Sequence, residues 1–307
     1  MVAVAMAAAQ VLQSPLVRDT WQGLWYEPSE KVAALEEELE LTGEGRRIFR
    51  ATAPAIEGQD EFNEHCENHK AEVTLLGCYT EGKIYVYEIT LEQLADSNKV
   101  TAAHELLHAA WARMGSGERA RLKELLGQVE AENQEWFEAE LQSYATQDRL
   151  EEVYARAGTK LRELPAELER HYAKYFRNRL KIVEYYENYQ APFRELQERN
   201  AELEAVILAT KAEIATERNA YIAAVTALDA EIERFNLCAE EPGCFSAERF
   251  SAERQRLATA KEELDARREE LNDKIEKNNA RVLEYQENQA ALGELSDAMN
   301  SNIMEEA

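Results

Sequence analysis

Two seven-residue series fill the C-terminal third of the 307-residue chain and restrict its fold more than any other feature. The first is Phe193, Asn200, Ile207, Ile214, Tyr221, Leu228 and Phe235. The second is Phe250, Leu257, Leu264, Leu271, Asn278, Tyr285 and Leu292. Residues seven apart share one seam of a supercoiled helix, and apolar groups on that seam are buried only against a second helix. Between the series lies Cys238-Ala239-Glu240-Glu241-Pro242-Gly243-Cys244, a Pro-Gly turn flanked by cysteines. The pattern predicts an antiparallel coiled-coil hairpin over 191–296 with its tip at 236–249. Its arms would reach about 60 Å at about 1.5 Å per residue. A Cys238–Cys244 bridge would staple the tip. The intervening positions are dense in Glu, Lys and Arg, as on solvated helix faces. Residues 297–307 read as a fraying tail.

Upstream, 14–190 reads as a separate α+β domain. Ser14-Pro15 opens a stretch carrying Trp21, Trp25 and Tyr26, and Pro28-Ser29 opens a helix over about 30–41 that Gly43 and Gly45 end. Ile48 to Ala53 reads as a strand stopped by Pro54, and 59–69 as a short helix. Two further strands, Glu72–Leu76 and Lys83–Ile89, flank Gly77–Gly82. Helices are predicted over about 100–114, 118–148 and 149–157, the last stopping at Gly158. Pro165 starts another, carrying an aromatic stripe of Tyr172, Tyr175, Phe176 and Tyr186, and Pro192 should kink or restart the chain. The fold class is therefore predominantly helical α+β. A small mixed sheet packs on one helix, and a helical region and the long hairpin follow.

That one helix holds Thr101-Ala102-Ala103-His104-Glu105-Leu106-Leu107-His108-Ala109-Ala110-Trp111. Residues four apart lie on one helix face, so His104 and His108 can offer two imidazoles to one metal ion. Glu105 sits one step round, within reach of a metal-bound water without being a ligand. The flanks are apolar and uncharged, which suits a buried helix. Two of the chain's five His fall here.

The segment resembles the zinc-binding helix of the zincin metallopeptidases. Thr101, Ala102, Leu106, Leu107, Ala109 and Ala110 all fit the wider signature of that family. The run 154–165, Tyr-Ala-Arg-Ala-Gly-Thr-Lys-Leu-Arg-Glu-Leu-Pro, is similar to a segment found with such motifs in poorly characterised bacterial metallopeptidases. A sheet followed directly by the motif helix is the order this resemblance implies. It also implies an edge strand that holds the substrate extended, for which Ile84–Glu88 is the candidate beside the plain alternative of a core strand.

A catalytic zinc site takes three protein ligands and leaves one position open. In the glutamate-type zincins the third ligand is a Glu on a later helix, often with a small residue three positions on. Glu152, with Ala155 three on, is the expected ligand, and Glu151 and Glu140 are the alternatives. The implied reaction is peptide hydrolysis by a zinc-activated water, with Glu105 as the general base. The oxyanion donor would come from His171, Tyr144 or Tyr154, His171 first because it follows the Leu-Pro helix start. A rival cluster, His65-Cys66-x-x-His69, converges poorly on a helix, and a Cys66–Cys78 disulfide explains Cys66 better.

The net charge of −25, from 60 acidic and 35 basic residues, argues against nucleic acid as a partner and against attraction to an anionic membrane. The four Cys form two local pairs without any Cys-x-x-Cys, a pattern of disulfides and an extracytoplasmic location; four buried thiols in a cytosolic protein are the alternative. Residues 1–13 are apolar and uncharged, too short to span a bilayer alone, and read as a signal or membrane-anchor remnant or an apolar helix. The expected partners are a peptide or protein substrate, a protein on the hairpin, and a membrane anchor at the N-terminus. A scaffolding protein with a structural or inactive zinc site is the competing reading. A zinc hydrolase of non-peptide amides is a third.

Overall fold

The computed structural model describes residues 15–66, 75–141 and 149–301. The chain forms two compact units, one of residues 1–193 with 294–307 and one of 194–293. The apolar segment 1–13, His69 and Tyr144 lie outside the described residues.

The first unit opens with helices α1 (Pro15–Trp25), α2 (Glu30–Glu38) and α3 (Gly43–Ala51). Ser29 caps α2 by accepting from the Val32 amide, and Thr42 caps α3 by accepting from the Gly45 amide. The residues read as a strand, Ile48 to Ala53, are thus mostly the second half of α3. Ile48 and Phe49 are fully packed in the core. Helix α1 was not anticipated at all. Its Asp19 is completely buried, accepting from Arg47 Nη1 at 3.0 Å and from Arg113 Nε at 2.8 Å.

Strand β1 (Ala55–Glu57), helix α4 (Gln59–His65), strand β2 (Gly77–Thr80) and strand β3 (Lys83–Tyr87) follow. The sheet order is β1-β3-β2, with β1 parallel and β2 antiparallel to β3. The sheet is therefore mixed, and β3 is its centre. This corrects the expectation that Ile84–Glu88 is an edge. Ile84 and Val86 are buried in the main core, so the strand is occupied on both sides and on its face. The edge strands are β1 and β2; of the predicted strand 72–76, residues 72–74 lie outside the described residues, and β2 begins at Gly77. The disulfide Cys66–Cys78 ties the end of α4 to β2.

A single 3-10 turn, Glu92–Leu94, leads into α5 (Asp96–Arg113), which carries the two His. Its Ala102, Ala103, Leu106, Leu107, Ala109 and Ala110 are buried against β3 and the later helices. Then come α6 (Ser116–Glu132), α7 (Gln134–Glu140), α8 (Arg149–Lys160) and α9 (Ala166–Tyr172). The predicted helix over 118–148 is broken at Asn133, whose side-chain amide donates to the Val129 carbonyl. Gly158 does not stop α8 but lies inside it. A Cβ there would stand 2.5 Å from Leu107 Cδ1 and 2.7 Å from Tyr172 Cε1, so the bare glycine lets α8 close on α5.

Helix α10 (Arg179–Glu240) passes Pro192 without ending, and α11 (Ala247–Ala298) follows. In the second unit they form the antiparallel hairpin. Its register is set by pairs such as Asn200 with Asn288, Glu217 with Lys274, and Glu231 with Arg256. Every residue of the two heptad series from Asn200 to Tyr285 is at least half-buried except Phe250. Phe235, Phe245 and Phe250 cluster at the tip beside the Cys238–Cys244 disulfide. The residues after 297 do not fray at once. Ser301 is fully buried, its hydroxyl donating to the Leu75 carbonyl at 2.8 Å and its carbonyl accepting from Asn63.

Candidate metal centre

Helices α5 and α8 meet at a cluster of three potential ligands. His104 and His108 project from one face of α5, one turn apart, and Glu152 stands opposite on α8. His104 Nε2 and His108 Nε2 are 3.1 Å apart. Glu152 Oε2 is 3.6 Å from His104 Nε2, and its Oε1 is 3.3 Å from His108 Nε2. Donors on one tetrahedral ion with bonds of about 2.0–2.1 Å stand about 3.3 Å from each other. The three donors have that spacing, and together they could hold a metal ion. Among the described residues this is the one such group of three or more.

The surrounding groups orient the ligands. Glu151 accepts from the far side of the His108 ring, its Oε1 lying 2.8 Å from Nδ1. A carboxylate there fixes which nitrogen of the imidazole faces the cluster. Glu151 was an alternative third ligand; the structure gives it this outer position instead. Glu140, the other alternative, is taken up by Lys160 at 2.6 Å and by Arg156. Arg156 in turn reaches Glu152 Oε2 at 3.3 Å. The cations Arg156 and Lys160 were not singled out from the sequence. The spacing Glu152, Arg156, Lys160 is i, i+4, i+8, and that periodicity would have put all three on one face of α8.

Burial and charge set the protonation of the metal-free cluster. Burial lowers the His104 pKa to about 4, so this imidazole is neutral. Burial also works against a charged His108, but the Glu151 and Glu152 carboxylates outweigh it and raise its pKa to about 10. Glu152 is held well below the usual carboxylate range. Burial would raise it, and hydrogen bonds from His104 and His108 prevail. Glu105 is pushed up to about 7, chiefly by burial against the pull of His108.

Glu105 and His104 share the wall of a cleft of about 240 Å³ with Gly77, Thr101, Arg156, Lys160, Tyr189 and Met299. Gly77 opens β2 directly against the motif helix. A Cβ there would meet Thr101 Cγ2 at 2.4 Å and Glu105 Cγ at 3.1 Å. The edge strand and the Glu105 carboxylate are therefore neighbours, an arrangement that a larger residue at 77 would forbid.

His171 is not brought into this cluster, which corrects its expected place as the oxyanion donor. It sits at the end of α9 with its Nε2 3.0 Å from the Tyr154 hydroxyl and its Nδ1 facing Glu118. It lines a different cavity, bounded by Glu118, Arg121, Glu167 and Lys174. Tyr154 is itself fully buried among Trp111, His171 and Tyr172. Of the rival metal cluster, Cys66 is bonded to Cys78, and His65 stacks on Tyr85 and pairs with Glu57.

The two disulfides fit an oxidising compartment outside the cytoplasm. No described helix is long and apolar enough to cross a membrane. No protein-family model, curated protein or solved structure matches the chain.

Proposed function

We propose that the chain is a zinc-dependent peptidase in which His104, His108 and Glu152 hold the ion and Glu105 moves the proton. The observation that carries this reading is the convergence of the three donors beside a buried carboxylate that lines the same cleft. A zinc ion held there would supply a Lewis acid that activates water and polarises the substrate carbonyl.

The chain's own groups account for the rest. Glu105 takes a proton from the attacking water and delivers it to the leaving amine nitrogen. Its burial-raised pKa suits both halves of that exchange near neutral pH. The outer edge of β2 beside Glu105, which no other strand of the described sheet pairs, offers backbone N–H and C=O groups to an extended peptide, which makes a polypeptide the fitting substrate. Tyr189 lines the cleft and is kept a phenol by burial, so it is a candidate donor in place of His171, alongside Arg156 and Lys160 on the same wall. The N-terminal anchor and a protein partner for the hairpin belong to this reading too, as an enzyme held outside the cytoplasm.

The test is Glu105→Gln, which keeps the shape of the side chain and removes its basicity. The variant should bind zinc as the wild type does and cleave peptides about 10²–10⁴-fold more slowly. A zinc-loaded wild-type protein that cleaves no member of a diverse peptide library would favour a scaffold with a structural metal.

A further inference from the structure

The cleft that holds Glu105 is walled at one end by the residues that follow α11. Met299 lines it. Two residues on, Ser301 is fully buried, its hydroxyl donating to the Leu75 carbonyl at 2.8 Å and its own carbonyl accepting from Asn63 Nδ2 at 2.8 Å. Leu75 lines the same cleft and leads into β2. Carbonyls alternate sides along an extended strand. The Leu76 carbonyl accepts from the Tyr87 amide on the β3 side, so that of Leu75 faces the outer edge. Ser301 therefore takes the backbone acceptor that a peptide laid along this edge would need next. A buried residue bonded twice makes a fixed wall. The cleft of about 240 Å³ is also smaller than the roughly 300–1,000 Å³ of sites that enclose a whole small ligand. It suits the end of a peptide better than its middle.

Charge decides which end. Among the described residues Glu105 is the one carboxylate that lines the cleft, and two cations line it, Arg156 and Lys160. They stand one and two turns past Glu152 on α8. Glu140, which is not part of the lining, holds both through a single oxygen, Lys160 at 2.6 Å. An ammonium has three donors and a guanidinium five, more than the bonds to Glu140 and Glu152 use. A peptide's N-terminal ammonium would meet two like charges there, with only the proposed base to receive it. A C-terminal carboxylate would meet donors for charge-assisted hydrogen bonds. We propose that the cleft takes the C-terminal end of its substrate, that Arg156 and Lys160 receive the free carboxylate, and that the protein is a carboxypeptidase. This rests on the peptidase reading above. Water adds across the last or last-but-one peptide bond, its hydroxyl going to the carbonyl carbon and its hydrogen to the leaving nitrogen. A shortened peptide leaves with a free amino acid or dipeptide.

The test sets N-acetylated peptides with a free C-terminal carboxylate beside the same peptides as C-terminal amides. With the zinc-loaded full chain, mass spectrometry should show the acids shortened by one or two residues and the amides cleaved about tenfold or more slowly. Calorimetry on zinc-loaded Glu105→Gln measures binding without turnover and should show the same preference. Lys160 is the residue to change, because Arg156 also touches Glu152. Lys160→Met should bring the acids down to the level of the amides by raising KM, and Lys160→Arg should keep the preference. Zinc content and the melting curve report whether site and fold remain. Internal cleavage of acids and amides alike would overturn the inference and leave the peptidase reading standing. Equal binding of acids and amides would overturn it too, as would an equal loss for both in Lys160→Met, which would make Lys160 an oxyanion donor. Preferential binding of acids that wild-type protein never cleaves would support the carboxylate site and sink the peptidase reading instead.

Discussion

In the proposed site three donor atoms would hold the ion, and their protonation makes a quantitative forecast. In the metal-free protein His104 is neutral, with a pKa of about 4, whereas His108 is held protonated by Glu151 and Glu152 up to about pH 10. A zinc ion takes only the neutral imidazole. Binding at pH 8 must therefore displace one proton, from His108, while His104 and the already ionised Glu152 release none. Calorimetric titrations in buffers of different ionisation enthalpy should give at least about one proton released per zinc at pH 8, from His108, with a second coming from the zinc-bound water as its pKa falls to about 7. Below that pH the apparent affinity should fall about tenfold per unit, because protons compete for His108. Release of no proton would contradict the arrangement. Glu105→Gln tests the other half of the site at this scale, with zinc retained and turnover lost.

The site exists because secondary-structure elements approach each other without side chains in the way. Gly158 lets α8 lie on Leu107 and Tyr172, and this contact brings Glu152 opposite His104 and His108. Gly158→Ala places a methyl group into a packed region and should destabilise the protein by about 1–3 kcal/mol. The same variant should weaken zinc binding, since α8 must move away from α5. A thermal melt and a zinc titration on it check both, and an unchanged melting temperature with full zinc affinity would refute the role of the contact. Local pattern also shows what the sequence could and could not reveal. His104, Glu105 and His108 were legible because their geometry is set within one helical turn. Glu152 was reached only through the family resemblance. Gly77 and Gly158 were read as punctuation, whereas they are contact points, and so is Gly45, where a Cβ would run into the Tyr175 carbonyl; nothing in the local sequence separates those two uses of glycine. The segment Ile48–Ala53 looked like a strand because Ile, Phe and Thr favour one, but the Thr42 cap and burial of one face made it helical. His171 was misplaced because its neighbour, Tyr154, is decided by tertiary packing rather than by spacing.

At the scale of the molecule, the two compact units have different sources of stability. The hairpin was legible from its heptads, since each repeat specifies its own burial. The first unit depends on contacts far apart in sequence, such as Asp19 with Arg113 and Ser301 with Leu75, and these leave no periodic trace. A metal ion that binds only the folded first unit should stabilise that unit alone. At a free zinc concentration about a thousandfold above Kd the gain is about 4 kcal/mol. Scanning calorimetry should then show the transition of the first unit moving up with zinc while that of the hairpin stays in place. A shift of both transitions, or of the hairpin alone, would locate the ion elsewhere.

The most direct test of the central claim is the metal content of the purified protein, compared with His104→Ala and Glu152→Ala. Wild-type protein should carry about one zinc per chain, and each substitution should remove most of it, because a site with three protein ligands keeps little affinity with two. Wild-type protein that takes up no zinc, or Glu152→Ala protein that holds it undiminished, would contradict the ligand set described here.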